Sequence, residues 1–524
     1  MVIPKTAEES DNIIVSNPRS GDIARLAKGA GVSASGKMVG RGLNFLVQLI
    51  LARILGPEAF GLYAIGWTII RIVSIIGPLG LDSGVIRFGA KYWREDQVNF
   101  RRVFFLSIGI SLASGLLIGS ALFLSASFLS TQVFHKPGLE SVVRGFAFAI
   151  PLVTTLRVMA AATSISQRMQ YATYSEEISQ PSMELMLVLV FLYLFHWNLE
   201  GAVLAGVISF GVALALATYY LVRIYPGKLF YPDSGMPTRQ AHLQLDIILF
   251  SIPTAFAAFF GTYISWADRL LVGFFRSEAE TGVYTTISLV SSIFVIILSG
   301  IKVIFSPMIA DLYHRGEIKR VEEIFRFSTK WALYVSTPLL LVILFASREL
   351  LTLAFGAQYS SGSLALIFLA LAQIIHIGTG AIDTLLIMTG RQKSWLVISG
   401  IMLGLNILVN SILIPAYGLI GAALGTAATV SGIVIIGLMI VRRDLKIWPY
   451  DRRYFKGLVS ALACTAILIG VSAVNFSAPA LRLFVVTVVA FVTFGAGLLV
   501  QGLDSEDREL LSMLQRKFII RPIG

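Results

Sequence analysis

The chain has 524 residues, of which 56% are hydrophobic and only 14% charged. Globular domains average about 25% charged residues, so composition excludes an ordinary water-soluble protein. The formal charge of +12 invites a nucleic-acid reading, but the placement of Lys and Arg accounts for it without nucleic acid.

Met1 to Ser20 is mostly polar and lacks the apolar core of a signal peptide. Beyond it, apolar runs of about 20 residues, the length that crosses a bilayer, recur along almost the whole chain. The expected fold is an all-α polytopic membrane protein of about fourteen transmembrane helices. Six spans begin near Gly31, Phe60, Val103, Val142, Thr173 and Gly201. A polar break at Tyr225–Gln244 follows. Six more begin near Leu245, Gly282, Trp331, Ser363, Trp395 and Gly418, and the last two near Phe455 and Leu481. The expected organisation is a tail over 1–28, an N-terminal lobe over 29–225, a linker over 226–243, a C-terminal lobe over 244–445, two further spans over 446–503 and a tail over 504–524.

The connections alternate in charge. One set carries Lys91, Arg94, Arg101, Arg102, Arg168, Arg223, Lys228, Arg239, Arg315, Lys319, Arg320, Arg391, Lys393, Arg442, Arg443, Arg452 and Arg453. The other holds little beyond Lys136, Arg276, Arg348 and Arg482. Lys and Arg mark cytoplasmic connections, so a multi-pass protein of the cell (cytoplasmic/inner) membrane is expected, with both termini, the linker and both tails on the cytoplasmic side. The outer connections are short, too short for an enzymatic domain. The five histidines form no metal-ligand spacing, and no phosphate-binding Gly-Lys motif occurs, so neither a metal nor another cofactor is expected. The lone Cys464 sits in an apolar run as a small hydrophobe.

The two halves match at an offset of about 220 residues. "EAFGLYAI" (Glu58 to Ile65) aligns with "AETGVYTT" (Ala279 to Thr286), pairing Gly61 with Gly282 and Tyr63 with Tyr284. "GAVLAGVISFGVAL" (Gly201 to Leu214) aligns with "GAALGTAATVSGIV" (Gly421 to Val434). An even number of spans per half gives two parallel six-helix repeats, with a site between them near mid-membrane.

In the first span Ser33, Lys37, Arg41, Asn44 and Gln48 share one helical face. The matching positions of the seventh span include Thr254, Thr262, Ser265 and Arg269. A charge at mid-membrane is costly, so both polar stripes are expected to face a central cleft. Trp67, Arg71 and Ser74 form a stripe in the second span, as do Ser288, Ser292, Ser299 and Lys302 in the eighth. Lys37, Arg41, Arg71, Arg157, Arg269 and Lys302 are therefore candidates for a cationic cavity that binds an anion, a diphosphate especially. The alternative for each is pairing with an internal acid: Asp82, Glu184, Asp268 or Asp383. Asp268 and Arg269 are neighbours in sequence and cannot share a helical face, so Asp268 is expected to find its partner on another helix. Pro151, Pro181, Pro253, Pro307 and Pro338 mark expected bends.

"LARILGPEAFGLYAI" (Leu51 to Ile65) and "ADRLLVGFFRSEAETGVY" (Ala267 to Tyr284) resemble the motifs of polysaccharide transporters, the Wzx-like lipid-linked oligosaccharide flippases of the multidrug/oligosaccharidyl-lipid/polysaccharide (MOP) exporter superfamily. The resemblance implies a V-shaped alternating-access transporter rather than an enzyme. It implies a polyprenyl-(di)phosphate-linked glycan as substrate, used in surface polysaccharide synthesis such as that of O-antigen, among membrane lipids and other polysaccharide-assembly proteins. It also implies coupling to H⁺ or Na⁺, for which Asp268, Glu184 and Asp383 are the candidate carriers. The alternative is a cation-coupled MATE-type drug exporter. An exporter of cations is expected to have an acidic chamber, and the two extra C-terminal spans favour the flippase branch.

Overall fold

The computed structural model describes residues 18–94, 96–166, 168–225, 241–502, 504 and 507. In lipid, backbone polar groups must be satisfied within the spanning segment, and the described residues form helices with no strand. In chain order these are α1 (Pro18–Ile76), α2 (Leu81–Tyr92), α3 (Gln97–Phe128), α4 (Leu139–Ala147), α5 (Ala149–Thr163), α6 (Met169–Ala172), α7 (Gln180–Val188) and α8 (Leu199–Ile224). The second half holds α9 (Ala241–Phe275), α10 (Glu278–His314), α11 (Ile318–Ala354), α12 (Ser363–Gly378), α13 (Ile382–Met388), α14 (Gln392–Leu445), α15 (Tyr454–Ser472) and α16 (Pro479–Val500). Wider π-helical turns close α3 at Leu129–Val133, join α6 to α7 at Thr173–Ser179 and close α7 at Leu189–Leu194.

Eleven helical segments among the described residues are long and apolar enough to cross a membrane, and the protein is a multi-pass membrane protein. Two of these segments, Ser35–Tyr92 and Gln392–Leu445, run for 58 and 54 residues, far beyond the span of a bilayer. Each is broken by a glycine with left-handed backbone: Gly56 (φ 73) before Pro57 in α1, and Gly418 (φ 59) after Pro415 in α14. Glycine takes such a conformation without a Cβ clash. Pro253, Pro307 and Pro338 lie inside α9, α10 and α11, whose helices run on through them. Glycine, rather than these prolines, sets the two sharp breaks.

The most extensive packing between the halves is that of α1 on α10. Where they cross, Gly61 lies against the backbone of Glu278 and Gly282, and Gly282 lies against the backbone of Pro57. A Cβ at either place would overlap a carbonyl oxygen, so only glycine lets the helices approach this closely. The residues matched in sequence thus meet each other. Around them, Phe60, Tyr63, Trp67 and Phe146 share one core with Tyr284, Ile287 and Phe294. At the end of the molecule with the basic connections, Leu81, Val85, Phe100 and Tyr225 pack with Leu243 and Ile247. α15 and α16 pack on each other and on α11 through Cys464, Leu468, Phe494 and Leu341.

Candidate functional site

Tyr63, Trp67 and Arg71 follow one another at four-residue spacing and share a face of α1. Trp67 is buried and stacks on Tyr63 (ring centroids 5.8 Å apart, 15°) and on Phe210 (5.8 Å, 24°). That fixed ring supports the Arg71 guanidinium, 5.0 Å from its centroid. Arg71 Nη2 also donates to Asn44 Oδ1 at 3.3 Å, and its Nε is buried without an acceptor. From the other half, the Arg269 guanidinium stacks 4.6 Å from the Trp266 ring, and its Nε too is buried and unpartnered. Among the described residues no carboxylate oxygen lies within 4.0 Å of either guanidinium. The two cations lie within electrostatic reach of each other. Two stacked guanidiniums without a direct ion-pair partner, each with a buried unpartnered Nε, offer fixed donors to an anion.

Beside Arg269, Asp268 is buried. Its Oδ2 accepts from Tyr284 Oη at 2.7 Å and from Thr426 Oγ1 at 3.2 Å, and its Oδ1 accepts from the Arg269 backbone N at 2.8 Å. The partner expected on another helix comes from two, α10 and α14. Asn410 packs against Gly425, next to Thr426, and both polar atoms of its side chain are buried without partners. In the first half, Glu184 is buried in a similar way: Oε1 accepts from Tyr63 Oη at 2.6 Å and Oε2 from Gln180 Nε2 at 2.8 Å. Tyr63 and Tyr284, matched in sequence, each hold one buried carboxylate.

The remaining candidates separate. Arg157 pairs with Asp82 at 3.2 Å, and Lys302 pairs with Asp383 at 2.7 Å, with His376 in electrostatic reach of both. Lys37 and Arg41 are exposed on α1 toward the basic end, and Gln48 is half-buried. The side chains of Thr262 and Ser265 lie outside the described residues. The geometry thus brings together Arg71, Asn44, Arg269 and Asp268. Sequence reasoning missed the roles of Tyr63, Tyr284, Trp266, Thr426 and Asn410. The repeat had singled out the two tyrosines, but nothing local showed that they face carboxylates.

The family model described as "Polysaccharide biosynthesis protein" matches residues 26–313, which contain Arg41, Arg71, Asp268, Arg269 and Lys302. A second model, MatE, matches residues 253–412. The capsular polysaccharide biosynthesis protein CapF of Staphylococcus aureus is 26% identical over 240 residues, which are 46% of this chain and 59% of CapF. The probable low-salt glycan biosynthesis flippase Agl15 of Haloferax volcanii is 28% identical over 170 residues, 32% of this chain and 35% of Agl15. The match thus spans less than two thirds of either relative. Among solved structures, the lipid II flippase MurJ in an inward closed conformation superposes with a TM-score of 0.67 at 14% identity, covering 93% of this chain and 99% of that one. That likeness concerns the fold. With more than half of its length matched by the first model, the chain belongs to the polysaccharide biosynthesis protein family.

Proposed function

We propose that this protein is a flippase. It moves a polyprenyl-(di)phosphate-linked oligosaccharide from the cytoplasmic to the outer leaflet of the cell membrane by alternating access, and makes or breaks no covalent bond. The carrying observation is the pair Arg71 and Arg269, one from each half, each stacked on a tryptophan and free of a carboxylate partner among the described residues. Their donors suit a phosphate or diphosphate head group, whose attraction to them is strong where water is scarce. The names of the curated relatives agree with such a substrate.

The topology in this reading has fourteen crossings. Splitting the two over-long segments at Gly56 and Gly418 adds two to the eleven, and α9 adds one. Two six-helix lobes, over 29–225 and 244–445, are joined by a linker, and the basic connections and both termini face the cytoplasm. The energy source is a cation, H⁺ or Na⁺, taken up at Asp268, whose carboxylate Tyr284 and Thr426 hold by hydrogen bonds.

The MatE match supports a second reading, a cation-coupled exporter of small molecules. A cationic drug would require an uncompensated acid in the cleft. The side chains offered there, Arg71 and Arg269, have the opposite sign.

The test is flipping in proteoliposomes of a fluorescent polyprenyl-diphosphate-linked disaccharide, read by quenching from outside. Arg71→Gln and Arg269→Gln should each slow flipping by about tenfold or more, as expected from losing a charge-assisted contact. Parent-like rates in both folded variants would overturn the proposal. Efflux of an organic cation by the parent, with no flipping, would install the second reading.

A further inference from the structure

α4 runs into α5 at Phe148, and the rod they form turns one narrow stripe outward. Glu140, Arg144 and Phe148 follow at four-residue spacing and share a face. Phe148 is 64% exposed. Arg144 is exposed one turn before it, in an ion pair with Glu140 at 2.7 Å.

Phe148 is the ridge between two apolar grooves, and it lines both. One groove, of about 420 Å³, runs between α4 and α8 along Val142, Gly145, Val203 and Val207. The other, of about 390 Å³, runs between α3 and the α4–α5 rod along Leu116, Gly119, Phe123 and Pro151. Polar groups stand at the same end of each. Ser141 and Glu200 line the first groove, close to the starts of α4 and α8. At the second, the Arg144 guanidinium lies 5.6 Å from the Phe123 ring, which meets Phe148 edge-on at 5.7 Å.

This end is marked as a membrane interface. Tyr193, Phe195 and Trp197 are exposed just before α8, and such aromatic residues gather at the head-group level. Arg144 lies five residues into α4, about 8 Å deeper at 1.5 Å per residue. An exposed guanidinium at that depth is costly against hydrocarbon alone, so a polar occupant is favoured there.

The charges say which one. Arg144 pairs with Glu140, and Glu200 has no basic group within 4.0 Å among the described residues. Two acids and one base leave a surplus negative charge, which repels an anionic head group. A choline head has no N–H to donate to a carboxylate. A primary ammonium joined to a phosphate complements both signs, with the phosphate at the deeper Arg144 and the ammonium further out at Glu200.

We propose that this face binds one two-chain aminophospholipid of the outer leaflet, its chains in the two grooves astride Phe148, its phosphate on Arg144 and its ammonium on Glu200. The proposed topology enters only in calling the leaflet the outer one.

The test is native mass spectrometry of the purified full-length protein, titrated with palmitoyl-oleoyl phosphatidylethanolamine, phosphatidylglycerol or phosphatidylcholine. The first ethanolamine lipid should bind about fivefold more tightly than either of the others, the upper end for an exposed ion pair. Glu200→Gln should erase the preference over the choline lipid. Arg144→Gln should weaken the ethanolamine lipid by about fivefold. Ser120→Phe fills the α3 groove, so it should weaken the two-chain lipid and leave one-chain lysophosphatidylethanolamine unchanged. All three positions are exposed, and parent-like unfolding temperatures are expected. Equal binding of the three lipids, indifferent to all three substitutions, would reduce the face to ordinary lipid contact and overturn the proposal. A polyprenyl phosphate that binds more tightly than the ethanolamine lipid and ignores Glu200→Gln would overturn it too, giving the grooves to a single long chain. No lipid-linked glycan and no flipping enter these measurements, so their failure stands apart from a failure of the flippase reading.

Discussion

At the scale of single residues, the candidate site turns on which cations lack a direct ion-pair partner. Arg157 and Lys302 each have a carboxylate partner, whereas Arg71 and Arg269 rest on indole rings. Asp268 is the inverse case: a buried acid that hydroxyls and its neighbour's backbone amide satisfy, with no guanidinium on it. Asp268→Asn keeps the shape and most acceptor capacity and removes the charge. It should abolish the dependence of flipping on an imposed ion gradient, while thermal unfolding shifts by only a few degrees. Gradient dependence equal to the parent's would leave Asp268 a structural residue. Sequence spacing showed that Arg269 could not serve Asp268 from the same helical face. It did not show Tyr284, 16 residues away, or Thr426, 158 residues away.

At the scale of elements, glycines decide where helices break and where they touch. Gly56 and Gly418 break the two longest helices, and Gly61 and Gly282 allow α1 and α10 to cross in backbone contact. Gly282→Ala places a methyl group onto the Pro57 carbonyl, so the helices must move apart. Overpacking of this kind costs about 1–3 kcal/mol. A lowered unfolding temperature and slower flipping are expected for Gly282→Ala and for Gly61→Ala alike. Gly300→Ala, where a Cβ meets open space, should be silent in both measurements.

At the scale of the molecule, the last two helices are fastened by a buried cation. Lys330 of α11 pairs with Asp507 at 2.7 Å and with Asp504 at 3.2 Å, and Lys456 of α15 pairs with Asp504 at 2.7 Å. Trp331 Nε1 donates to Asp507 Oδ1 at 3.0 Å. Removing one partner of a buried pair strands the other charge, so Lys330→Ala should cost about 3–5 kcal/mol and release α15 and α16 from α11. Limited proteolysis near residue 450 reads that release. Burial pushes the Asp504 carboxyl up, but hydrogen bonds from Lys456 and Lys330 outweigh it and hold the group below its ordinary value. Its stabilising share is therefore complete above the unfolded aspartate value of about 3.9 and is lost as pH falls below it. An unfolding temperature measured against pH should fall more steeply there in the parent than in Asp504→Asn.

Residence in a membrane and the helical build of the described residues were legible in the sequence. Each depends only on the apolar content of about 20 consecutive residues or on helical spacing within one segment. The matched pairs Gly61–Gly282 and Tyr63–Tyr284 were legible as pairs, though their contacts were not. Only the tertiary structure decided which cations are neutralised. Asp82 lies 75 residues from Arg157, and Asp383 lies 81 residues from Lys302. Ion pairing requires charges within a few ångströms, and that proximity comes from helix packing rather than from spacing along the chain.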